Sequence, residues 1–99
     1  MSISKVSLNF AQKAVKEGKQ FTHIPLKNNE SANILFNKNS VDCFIVSNNK
    51  IVSGRGATGP KEHVGKELAK ILDKLSGFVE SADEFKNTTM KNLINNFTK

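Results

Sequence analysis

Apolar residues alternate along the first half of the chain and recur at helical spacing at both ends. From Leu8 to Glu17 the residues Phe10, Ala11, Ala14 and Val15 fall on one face of a helix, and Gly18 supplies its stop. Val6, Leu8 and Phe10 also alternate, so a strand could open this segment; the helix is the preferred reading. Phe21–Leu26 reads as extended, and Pro25 marks an edge or irregular strand. Lys27–Glu30 reads as a turn. Ala32, Ile34 and Phe36 alternate with Asn33 and Asn37, the pattern of a half-buried strand, and Asn37–Ser40 turns the chain again. Asp42–Ser47 and Lys50–Ser53 form a hairpin about Asn48-Asn49, a pair that tolerates left-handed dihedrals.

Two helices follow. Pro60 suits a first helical position, with Gly59 or Thr58 as cap. Val64, Leu68, Ile71, Leu72 and Leu75 make an apolar stripe, and Gly77 is the expected stop. Ser81 and Glu84 match a capping box, and Phe85, Leu93 and Phe97 give the last helix an apolar side. The pattern predicts one α+β domain over residues 1–99, an antiparallel sheet of three to four strands packed by helices in the order α-β-β-β(β)-α-α. Residues 81–98 are either part of it or an appended helix.

Composition narrows the class. The chain has 99 residues, 37% of them hydrophobic, seven Phe and neither Trp nor Tyr, enough for one modest core. No apolar run approaches the ~20 residues of a membrane span, and the first five residues lack a signal-peptide core. Cys43 stands alone, so no internal disulfide forms; in an apolar strand it reads as a buried structural thiol, and the cytoplasm is the expected compartment. Charge is unevenly placed. Residues 1–61 carry nine basic and three acidic groups, whereas residues 62–99 carry six of each, so the whole net +6 lies in the first three-fifths. A one-signed field of this kind steers polyanions.

The candidate chemistry is centred on Ser53-Gly54-Arg55-Gly56-Ala57-Thr58-Gly59-Pro60-Lys61. Read as a loop, it leads from a strand to a helix N-terminus, where free N–H groups and the helix dipole favour anions. Gly54 to Gly59 has the four-residue spacing of a phosphate-binding P-loop. Pro60 stands where the lysine should follow, and neither Ser nor Thr follows Lys61, so a nucleotide site is excluded. No cofactor is expected.

The run Phe44-Ile45-Val46, Lys50 to Gly56, Lys61, Val64, Leu68-Ala69 and Leu72 resembles the C-terminal half of a double-stranded-RNA-binding domain. It is also similar to the related fold in the N-terminal part of a bacterial small-subunit ribosomal protein. The resemblance covers residues 43–75, a third of the chain. Where that family has Lys-Lys-x-Ala-Lys, this chain reads Lys61-Glu62-His63-Val64-Gly65. The resemblance implies recognition of duplex or structured RNA by shape, through phosphates and minor-groove 2′-hydroxyls. Lys61 would be the phosphate contact, helped by Arg55 and Lys66; Lys50 would reach a groove or phosphate from the hairpin turn; Gln12 and Lys16 would meet the minor groove. Lys66, Lys70 and Lys74 also fit a merely solvated helix face, since Glu62, Glu67 and Asp73 interleave with them.

Two other classes stand beside RNA binding. A toxin-like ribonuclease would use His63, oriented by Glu67, together with His23 and the cations Lys61 and Arg55. A protein-binding inhibitor or adaptor would use the Phe85, Leu93 and Phe97 side of the last helix. Two distant histidines and one cysteine do not make a metal site.

Overall fold

A computed structural model describes residues 4–99. The chain begins with helix α1 (Lys5–Glu17), capped by the Ser4 hydroxyl accepting from the Ser7 N–H and ended by Gly18 at φ 68°. Strands β1 (Gln20–Pro25), β2 (Glu30–Asn37), β3 (Ser40–Ser47) and β4 (Lys50–Thr58) follow, then helix α2 (Lys61–Leu75). The last segment runs through a short helix α3 (Ala82–Glu84), a π-helical stretch (Phe85–Met90) and helix α4 (Lys91–Thr98). The strands form one four-stranded antiparallel meander in the order β1-β2-β3-β4.

Sequence and structure agree on the architecture, an α+β domain in the order α-β-β-β-β-α-α. The Asn48-Asn49 turn takes φ of 52° and 61°, and Pro25 lies on edge strand β1 as expected. The stripe Val64, Leu68, Ile71, Leu72 and Leu75 is buried in full. Ser81 accepts from the Glu84 N–H, half of the expected capping box. The α2 stop differs: Ser76, in right-handed helical geometry, is the cap, and its hydroxyl donates to the Asp73 carbonyl.

The sheet is covered on both faces. Ile24, Ala32, Ile34, Phe36, Val41 and Cys43 face α2 and the C-terminal helices, where Leu68, Leu72, Phe85, Leu93 and Phe97 complete the larger core. Leu35 and Val46 face the other way and meet Phe10 and Ala14 of α1 in a smaller core. Phe10 stacks on Phe44 there, ring centroids 4.5 Å apart and nearly parallel. Strand β2 is therefore buried on both faces rather than half-buried, and Asn33, expected on a polar face, is fully buried beside the α1 layer. Its amide donates to the Ser31 hydroxyl and the Phe44 carbonyl, which offsets part of the cost of burying it.

The last helix docks on the domain. Phe97 packs beside Phe36, centroids 6.4 Å apart, and its ring edge lies where Gly65 of α2 has no side chain. A Cβ at Gly65 would stand 2.9 Å from Phe97 Cε2, closer than packed carbons tolerate.

Candidate functional site

The glycine-rich segment is a strand rather than a loop. β4 pairs with β3 as far as Thr58, opposite Ser40, with a bulge at Val52. Gly54 lies against the Phe44 ring, 3.2 Å from where a Cβ would sit, and a Cβ on Gly56 would meet the Val41 carbonyl at 2.8 Å. These glycines permit close backbone approach in extended geometry instead of shaping a phosphate loop. Only Gly59 keeps the left-handed conformation, at φ 135°, and its N–H donates to the Asn39 carbonyl.

Arg55 moves with this correction. It lies on β4 opposite Cys43, facing α2, and its guanidinium donates to the Glu67 carboxylate at 3.2 Å. Lys70 reaches the same carboxylate at 3.6 Å. The Arg55 hydrogen bond holds the Glu67 carboxyl below its usual range, with Lys70 adding to it. Arg55 ties strand to helix, and Glu67 is spent on two cations rather than on orienting His63.

The remaining sequence candidates divide between two layers and two poles. Gln12 and Lys16 are exposed on α1; Lys61 and Lys66 belong to α2 across the sheet. Lys50 begins β4 beside Asn49, whose side-chain oxygen accepts from the Val6 N–H, so it lies by the start of α1. Lys61 follows the far end of β4, about 27 Å away at the rise of a strand. His23 lies on edge strand β1, opposite Asn33 and hence toward the α1 layer; His63 is exposed beside Gly59, just past β4 at the other edge. Three strand spacings, about 14 Å, and the sheet itself separate them, which removes the paired-histidine arrangement. Partial burial lowers the His23 pKa, and burial pushes the Cys43 thiol up to about 11, the state of an inert structural cysteine.

The fold gathers a different set at one pole. Gly18 at the end of α1, Gln20 of β1, Asn37 at the end of β2, Lys38 of the β2–β3 turn, and Asn96 and Lys99 at the end of the last helix line a cleft of about 290 Å³. Phe36 and Phe97 complete its lining, and no carboxylate side chain belongs to it. Lys61 stands next to it, its ammonium donating to the Thr98 carbonyl at 3.4 Å. Lys16 is exposed in the last turn of α1, two residues before the cap that Gly18 provides. Of the acids closest in sequence, two are engaged by Lys19 and the third, Glu62, adjoins Lys61. Glu17 and Asp42 both bind Lys19, at 3.0 and 3.5 Å, and the hydrogen bond from Lys19 keeps the Glu17 pKa low. Glu62 is exposed at the start of α2.

Sequence reasoning found Lys61 and Lys16 near this pole and missed Lys38, Lys99, Gln20, Asn37 and Asn96. No local pattern marks those five as a site. They meet because the α1–β1 connection, the β2–β3 turn and the end of β4 lie at the same end of the meander and the last helix ends there. Among the described residues no group of His, Cys, Asp and Glu could hold a metal ion, and no helix is long and apolar enough to cross a membrane. No family model, curated protein or solved structure matches the chain.

Proposed function

We propose that the chain binds structured RNA through its phosphates, with the pole of Lys38, Lys61 and Lys99 as the principal contact. The observation that carries the reading is the cleft at that pole, whose lining holds two lysines and three side-chain amides and no carboxylate side chain. Lysines supply the salt-dependent, sequence-independent share of such binding, and the amides of Gln20, Asn37 and Asn96 can meet phosphate or 2′-hydroxyl oxygens. The net charge of +6 draws a polyanion in the same sense. Arg55, held by Glu67, contributes less than its place in the glycine-rich segment suggests.

The test compares two charge reversals on purified protein. Lys38→Glu with Lys61→Glu should weaken binding to a labelled RNA duplex at least tenfold at fixed salt. Lys66→Glu with Lys70→Glu, on the body of α2, should change it much less. Equal losses from the two pairs would remove the pole from the account, leaving net charge alone.

A further inference from the structure

On the α2 side of the sheet, at the other end of β1 and β2 from the basic pole, lies a cavity of about 210 Å³. Leu26, Ile45, Ile71, Leu75 and Phe78 line it, together with Cys43, whose burial keeps the thiol neutral. Backbone bonds fix its wall: the Lys27 N–H donates to the Phe78 carbonyl, and the Phe78 N–H to the Leu75 carbonyl, both at 2.8 Å. Phe78 is about half exposed all the same, so this apolar lining is open to solvent. A preformed apolar cavity with a few polar groups at its margin is the usual form of a small-molecule site.

The polar margin is unevenly charged. Ser53, Arg55 and Lys74 line the β4–α2 side, and Glu30 the β2 side. Arg55 shares the Glu67 carboxylate with Lys70, and its bond to that group runs through Nη2. Lys74 follows Lys70 by one turn on the same side of α2. Arg55, Lys70 and Lys74 thus stand together against Glu67 along this seam. Asp73, two positions from buried Ile71, is on the outer side of the helix. Glu30 is two strand spacings from β4, about 10 Å, and repels an anion from its end of the cavity.

We infer that this cavity binds a small carboxylic acid with a compact apolar body, its carboxylate held between Arg55 and Lys74 and its body against Ile45, Ile71 and Leu75. Size sets the body. An apolar cavity of about 150 Å³ holds a benzene ring, so about 210 Å³ takes one ring and a short chain. Charge sets the head, since the cations stand at one side of the opening and Glu30 at the other. The site is separate from the RNA-binding pole and does not depend on that reading.

The experiment is a titration of the isotope-labelled full chain with hydrocinnamate, followed by amide NMR shifts. The expected result is saturable movement confined to residues 43–45, 53–55 and 71–78, with a dissociation constant of about 1 mM or tighter. Hydrocinnamyl alcohol, the same body without the charge, should bind about tenfold more weakly. Lys74→Glu, at an exposed position, should weaken the acid about tenfold and leave the alcohol unchanged. Ser53→Phe, also at an exposed position, puts a ring into the cavity from β4 and should abolish binding of both. The amide spectra show whether each variant keeps the fold. Shifts that do not saturate by about 10 mM, or that saturate elsewhere on the surface, overturn the proposal. So does acid binding that matches the alcohol or is indifferent to either substitution.

Discussion

Replacing Gly65 by Ala tests how the last helix is held. Gly65 lies inside α2, where glycine is about 0.8–1.0 kcal/mol less favourable than alanine, so on an open helix the change would stabilise the protein. Here the added Cβ would stand 2.9 Å from Phe97 Cε2 and 3.6 Å from two further atoms of the same ring. That ring is buried and packs beside Phe36, so it has little room to retreat. Overpacking of a core costs about 1–3 kcal/mol, and the difference is a net loss of about 0–2 kcal/mol. Phe97→Leu removes the ring atoms in question at a cost of about 1–2 kcal/mol of its own. In that background Gly65→Ala should recover the helix gain of about 1 kcal/mol. The double-mutant cycle should therefore give a coupling of about 1–3 kcal/mol, read from urea midpoints at unchanged m-value. Gly65→Ala that stabilises the wild-type chain by the full helix increment, with no coupling to Phe97, would refute the docking of the last helix on α2.

Two further outcomes follow from the titrating groups. The His23 pKa is lowered in the folded chain, so the unfolded chain binds more protons as pH falls. The stability it contributes is present above the ordinary histidine value of 6.5 and is lost as pH drops below it; urea midpoints should fall between pH 7.5 and 5.5, and His23→Gln should flatten that step. Cys43, buried and with its thiol raised to about 11, should react with a disulfide reagent at pH 8 orders of magnitude more slowly than a free thiol. Urea should restore the rate through the unfolding transition, and fast labelling of the native chain would contradict the burial.

Much of the fold was legible because its signals are local. The apolar stripe of α2 needs only helical spacing, the Asn48-Asn49 turn only residues that accept positive φ, and the α3 cap only a hydroxyl three residues before its donor. What was hidden depends on partners distant in sequence. Asn33 alternates with apolar residues like any solvent-facing position, yet it is buried because Ser31 and the Phe44 carbonyl receive its amide and α1 covers that face. Gly54 and Gly56 read as loop residues because glycine usually breaks strands. Their reason is steric, the Phe44 ring and the Val41 carbonyl directly against them. The candidate site was half legible for the same cause. Charge along the chain pointed to a polyanion and to Lys61. The ion pair that engages Arg55 and the pole that assembles Lys38 and Lys99 are products of the tertiary fold.

The most direct measurement is the salt dependence of binding to a labelled RNA duplex of about 20 base pairs, by fluorescence anisotropy, for the wild type and for Lys38→Glu with Lys61→Glu. Each neutralised phosphate contributes about 0.7–0.9 to the slope of log K against log salt, so removing two contacts should flatten the slope by about 1.4–1.8 as affinity falls. Absence of wild-type binding at about 0.15 M salt, or an unchanged slope in the variant, would contradict the assignment of the basic pole as an RNA-binding surface.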